Sequence, residues 1–120
     1  MSAHHDIIIR FLRKGSTQAA NTDDILTISK IAENKVRINY VEYNQDTSFI
    51  HTKQLTYDQL NDYLWNMLWM VGVDEAPFKS VQFSVPGYPC MLITVDTMKE
   101  NLDDILDVLA SVYVSWPLAV

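Results

Sequence analysis

Hydrophobic and polar positions recur along this chain with two periods, and the switches between them mark its elements. The strongest helical pattern is Leu55–Gly72, LTYDQLNDYLWNMLWMVG. Thr56 and Gln59 have the spacing of a capping box, in which each side chain satisfies a backbone N–H at the helix start. Leu55 and Leu60 have the spacing of the matching hydrophobic staple. Tyr57, Leu60, Leu64, Met67, Leu68 and Val71 then recur at i, i+3, i+4 and i+7, which is one apolar face. The pattern predicts a helix over Thr56–Val71 that stops at Gly72. Trp65, Trp69 and Met70 lie off that face, and from Leu64 to Val71 the only polar residue is Asn66. The first two turns are amphipathic and the last two are apolar almost all round. A helix with one buried stripe needs one neighbour; this one needs two.

Before this helix the period is two. Asp24–Ala32, Lys35–Asn44 and Thr47–Gln54 read as strands, separated by Glu33–Asn34 and by Asn44–Gln45–Asp46, residues that tolerate left-handed backbone. Connections this short predict an antiparallel meander. Val36, Ile38 and Tyr40 alternate with Arg37 and Asn39, giving one buried and one wet face. The register stays open, because a loop of two or three residues at 33–35 would exchange the faces. Asp6–Gly15 carries Ile7, Ile8, Phe11 and Leu12 at helical spacing, with Asp6 as a cap, Arg10, Arg13 and Lys14 towards the end and Gly15 as a stop. It is assigned as a short helix, against the strand preference of three consecutive isoleucines. Ser16–Asp23 is a polar loop.

After the helix, Phe78–Val85 alternates, with Ser80 breaking parity, and Pro86–Gly87 supplies the φ values of a turn. Cys90–Val95, apolar on both faces, reads as a central, doubly covered strand. Thr97 and Glu100 suggest a second capping box. Met98, Leu102, Ile105, Leu106, Leu109 and Val112 form a stripe to about Tyr113, and Pro117 forbids continuation. The order is α-βββ-α-ββ-α. It predicts one α+β domain over 1–120, a mainly antiparallel five-stranded sheet (meander plus hairpin) with helices packed on it.

Composition adds bounds. With 48% hydrophobic residues over 120, a core is affordable without staples. The lone cysteine, Cys90, excludes an intrachain disulfide and fits a reducing, cytoplasmic compartment. The start MSAHHD lacks the basic region of a signal peptide, and no stretch approaches the ~18 apolar residues of a membrane span. The net charge of −6 sits wholly in the second half, where Lys79 and Lys99 face eight acids. Such a field repels nucleic acid.

Candidate chemistry is sparse. Once an initiator Met is removed, Ser2-Ala3-His4 offers an amine, two amides and an imidazole suited to square-planar Cu(II) or Ni(II), with His5 and Asp6 near. Chain ends fray, however, and no metal is assigned there. Asp96, Glu100, Asp103, Asp104 and Asp107 share one side of the last helix, the pattern of a solvated face. Cys90, in an apolar strand beside Pro89, is expected to be a buried, inert thiol. His51 has no Ser, Asp or Cys near it in sequence, and Gly15, Gly72 and Gly87 belong to no phosphate loop. The expectation is a protein that is not an enzyme and that needs no cofactor or metal. Arg10, Arg13, Lys14, Lys30, Lys35, Arg37 and Lys53, with Tyr40, Tyr43 and Phe49 among them, offer an alternative: a small nucleic-acid-binding module using the basic first half.

The order αβββαββα, the acidic balance and the small size resemble the type III secretion chaperones. That resemblance implies a homodimer holding partly unfolded client segments. A helix plus five strands is also similar to Sm-like RNA-binding barrels, which would imply the nucleic-acid alternative. Neither resemblance assigns residues. The residues themselves point to a dimer through the second apolar side of the central helix, with Trp65, Trp69, Met70, Tyr113 and Trp116 as the interface. The expected partners are a second copy and a protein client, with no membrane, and with nucleic acid only under the alternative reading. The uncharged stretch Val108–Val120 fits a covered tail.

Overall fold

The computed structural model describes residues 6–14, 23–44, 47–73 and 75–115, with backbone alone at 43–44 and 47–50. The fold is α+β, built on an antiparallel sheet of six strands in the order β4-β3-β2-β1-β5-β6. The strands are β1 (Ile7–Arg13), β2 (Asp24–Ala32), β3 (Lys35–Asn44), β4 (Thr47–Leu55), β5 (Phe78–Ser84) and β6 (Met91–Thr94). Helices α1 (Tyr57–Val71), α2 (Val95–Glu100) and α3 (Leu102–Ser115) complete the order.

The first segment is a strand, not the helix its spacing suggested. Ile7, Ile9 and Phe11 are buried while Ile8 and Arg10 are exposed, a period of two. The segment is held on both sides, with Ile9 opposite Leu26 of β2 and Phe83 of β5. Neither partner is visible from local spacing. The sixth strand thus comes from the β-branched preference of the isoleucines winning over a helical coincidence.

Register follows from the turns. Ala32 pairs with Lys35, so the β2–β3 loop is the two residues Glu33–Asn34. Asn34 has the left-handed φ of 56° that such a turn requires. Its side-chain oxygen also accepts from the Tyr57 amide at 3.2 Å, tying the turn to the start of α1. Pro86 and Gly87 (φ 83°) make the β5–β6 turn, closed by Tyr88 N–H donating to the Val85 carbonyl at 3.0 Å. A β-bulge sets Leu12 opposite Ser80 but Arg13 opposite Phe78. The extra residue, Lys79, stays exposed while Phe78 turns into the core, which explains the broken parity at Ser80.

Helices cover one face. Ile7, Ile9, Phe11, Leu26, Ile28, Val36, Ile38, Val81 and Phe83 meet Leu60, Leu64 and Leu68 of α1 and Met98, Leu102, Leu106 and Leu109 of α2 and α3. Opposite-parity residues such as Ile8, Arg10 and Arg37 form an open face. The capping box forms as expected: Gln59 N–H donates to Thr56 Oγ1 at 3.2 Å, and Thr56 N–H donates to Gln59 Oε1 at 2.9 Å. Such a cap contributes about 1 kcal/mol. Gly72 is the C-cap.

Two further expectations are corrected. The stripe from Met98 to Tyr113 is carried by two helices broken at Asn101, and the cap is Thr94, whose Oγ1 accepts from the Thr97 amide at 3.3 Å, rather than a Thr97–Glu100 box. The run Cys90–Val95 is not a central strand. Only Met91–Thr94 is strand, it lies at the sheet edge, and Met91 and Leu92 are 54% and 64% exposed. An apolar run reports a capacity for burial on both faces, not a second neighbouring strand.

Candidate functional site

The outer face of α1 is the first candidate. Trp65 and Trp69, one turn apart, are each about two-fifths exposed, and their rings stack at 5.7 Å with planes 7° apart. Lys99 of α2 places its ammonium 5.7 Å from the Trp69 ring centroid. Met70 is 68% exposed and Val73 is also exposed. These side chains leave apolar area on two flanks of the last two turns and just past the helix end, with Asn66 between. Trp65 and Trp69 face the α2–α3 corner, whereas Met70 leans to the other flank. Tyr113, expected at an interface, is instead buried within the chain, its ring 5.2 Å from that of Tyr57. Since Tyr57 opens α1 and Tyr113 is near the end of α3, the two helices run antiparallel. Trp116 lies outside the described residues.

On the Met70 flank a cavity of about 560 Å³ opens between α1, the α1–β5 connection and the sheet, with Tyr40, Tyr63, Met67, Met70 and Phe78 in its lining. A polar cluster stands at this end of the sheet. Arg13 donates through Nη2 to both carboxylate oxygens of buried Asp24, at 2.9 and 3.0 Å, and the Tyr40 hydroxyl donates to Asp24 Oδ2 at 2.8 Å. The Arg13 guanidinium also lies 5.1 Å from the Phe78 ring centroid. Burial pushes the Tyr40 hydroxyl far above the usual tyrosine range, and the hydrogen bond to Asp24 and the nearby negative charge push it further. Arg13 and Tyr40 thus both donate to the buried Asp24 carboxylate. Sequence reasoning placed these three residues on three separate elements and had no signal that they meet; an acid opening an apolar strand was the one available hint.

The third candidate is the edge at β6. Pairing sets Met91 opposite Phe83 and Ile93 opposite Val81, so these face the helices, while Leu92 faces the open side. Between this edge and α3 runs an apolar groove of about 160 Å³, lined by Phe83, Val85, Met91, Ile93, Ile105 and Val108, with Asp104 on its rim. Val108 is 50% exposed. The opposite sheet edge, β4, carries His51 and Lys53. A lysine on an edge strand discourages edge pairing, and β6 carries no charged side chain.

The residues considered for catalysis do not converge. Cys90 is exposed, contrary to expectation, because it precedes an edge strand; Gln82 Nε2 lies 2.8 Å from its sulfur. His51 is exposed on β4, at the other side of the sheet, five strand spacings or roughly 24 Å away. The acids of α2 and α3 are exposed, and among the described residues no group of three or more His, Cys, Asp or Glu stands ready to hold a metal ion. Ser2, Ala3 and His4 fall outside the described residues. Among the described residues no helix is long and apolar enough to cross a membrane. The basic residues divide: Arg10 and Arg37 are on the open face, Arg13 is bound to Asp24, and Lys30 is buried with its ammonium 5.7 Å from the Tyr57 ring centroid.

No protein-family model, curated protein or solved structure matches the chain. The order αβββαββα behind the chaperone resemblance is also not the order observed, since the first element is a strand.

Proposed function

We propose that this protein is a non-enzymatic protein-binding module that acts as a homodimer in the cytoplasm, chaperone-like in holding segments of protein partners. The observation that carries the reading is the C-terminal half of α1, where Trp65 and Trp69 are exposed on one flank and Met70 on the other, with Val73 exposed just beyond the C-cap. Exposed apolar surface of this kind marks contacts, and large aromatics anchor them. Two-fold dimers are the commonest closed assembly, and a helix face suits an isologous contact because the same residues serve both sides. The separation of Cys90 from His51 supports a binding role over catalysis, and an exposed thiol suits a reducing compartment. Sedimentation equilibrium at micromolar concentration tests the reading: a dimer mass is expected, and a monomer mass across the range overturns it.

The alternative, a small nucleic-acid-binding module, draws on Arg10 and Arg37 sharing the open sheet face. It is weakened by the division of the other cations between two faces, since tracking a phosphate backbone needs a continuous basic groove. Salt-dependent retention on a nucleic-acid column would favour it.

A further inference from the structure

We propose that the groove between β6 and α3 is a docking site for an extended, basic segment of another protein, which adds to the sheet beside β6. The proposal rests on the protein-binding reading above and names the chemistry of the client.

Three features select this occupant. The first is the bare edge. Among the described residues β6 ends the sheet with no strand on its outer side, and β6 itself carries no charged side chain. A strand laid there gains main-chain hydrogen bonds, and its alternate side chains point into the groove. The second is the size of the groove. Its volume is about 160 Å³. A dry apolar cavity of roughly 150 Å³ accepts a benzene ring. One phenylalanine- or leucine-sized anchor therefore fits against Met91, Ile93 and Val108. Side chains of the opposite parity meet Leu92 on the open face.

The third feature is charge. Asp104 stands on the groove rim, Asp103 and Asp107 are exposed on the same helix, and the second half of the chain has only Lys79 and Lys99 against eight acids. A lysine or arginine two residues from the anchor shares its face and reaches this rim. A second copy is a poorer occupant, because its β6 edge carries no cation to meet Asp104. The chain's own last residues, 116–120 (WPLAV), carry no cation either.

The test uses the full chain and a fluorescein-labelled nonapeptide with a central phenylalanine, lysine at the other odd positions and valine at the even ones. A control peptide has glutamate for lysine. Fluorescence anisotropy is expected to give micromolar binding of the basic peptide and binding about tenfold or more weaker for the acidic one. Amide exchange at Leu92 and Ile93 is expected to slow on binding. Val108→Asp is the decisive variant. It adds a negative charge, so it would strengthen a merely electrostatic association, yet it should weaken groove binding about tenfold or more. Val108 is half exposed, so the fold should tolerate the change, and an unaltered urea midpoint checks this. Asp104→Lys should also weaken binding.

No anisotropy change at about 100 μM, a Kd well above the usual range of useful recognition, overturns the proposal. So does equal binding of the two peptides, or undiminished binding by Val108→Asp. Binding that appears only after deletion of residues 116–120 assigns the groove to the chain's own tail, and dissociation of a dimer by Val108→Asp assigns it to a second copy; either result overturns the proposal. A dimer that persists while the peptide fails refutes this inference alone. A monomer that binds the peptide refutes only the homodimer.

Discussion

Trp69→Ala and Leu64→Ala, compared side by side, separate the two apolar sides of α1. Leu64 is fully buried between the helix and the chain's own sheet. Truncating it removes the transferred methyl groups and leaves a cavity, which costs about 2–5 kcal/mol. With a urea m-value of about 2 kcal/mol per molar, the midpoint falls by roughly 1–2.5 M. Trp69 is 44% exposed, so its loss costs the monomer less. What goes is the ring stack on Trp65, worth about 0.5–1.5 kcal/mol, and the Lys99 contact, worth about 0.5–1 kcal/mol at an exposed site. Together they should move the midpoint by roughly 0.5–1.2 M, about half the shift of Leu64→Ala. If the outer face joins two subunits, the same truncation should weaken the dimer by about 2 kcal/mol or more, some 30-fold in Kd. Unfolding must be measured at concentrations below that Kd, since dimerisation itself raises apparent stability. Subunit affinity comes from sedimentation equilibrium. If Trp69→Ala lowers the midpoint as far as Leu64→Ala and leaves subunit affinity unchanged, the tryptophan pair is part of the intrachain packing and the dimer loses its main support.

Asp24→Ala should destabilise by about 3–5 kcal/mol in urea titrations, because it strands the Arg13 guanidinium and the Tyr40 hydroxyl together; the triple variant Arg13→Met, Asp24→Leu, Tyr40→Phe should recover most of that, and a cost below about 1 kcal/mol for the single change would show the cluster to be incidental. Burial raises the hydroxyls of Tyr40, Tyr63 and Tyr113, so the folded chain keeps protons that unfolded tyrosines release near pH ~10. The stability they contribute is fully present below that pH and is lost as pH rises past it, at no more than about 1.4 kcal/mol per pH unit for each tyrosine. Urea midpoints that stay flat between pH ~8 and ~11 would contradict this, and Tyr40→Phe should shallow the slope. Cys90 should react with a thiol reagent in the native protein, as its exposure requires; a thiol titratable only in denaturant would refute its placement beside the sheet edge.

Elements whose pattern is set by neighbours in sequence were legible in the chain. The ends of β2 and β3 coincide with the runs Asp24–Ala32 and Lys35–Asn44, because short turns and alternation act locally. The capping box at Thr56 was readable for the same reason. What failed depends on distant partners. Ile7–Arg13 satisfies both periods, and only Leu26 and Phe83 decide between them. The break at Asn101 has no glycine or proline to announce it, and the apolar stripe continues through it. Of the candidate interface residues, Trp65, Trp69 and Met70 are on the surface, as their position off the main stripe implied, whereas Tyr113 turns inward to Tyr57. The groove at β6 was hidden by reading an apolar run as a central strand.

The position of β1 inside the sheet bears on how the chain reaches this state. β1 to β4 are sequential neighbours and pair in order, so the meander can close through local contacts early. β5 must return past the whole of α1 before Phe83 reaches Ile9. Until it does, β1 is an edge, and Ile7, Ile9 and Phe11 lack part of their cover. A half-built sheet with that rim bare is the species most able to pair with another chain in the same condition. The strand order thus places a folding hazard at a seam that the finished molecule hides, and a refolding yield that falls as protein concentration rises is its expected signature.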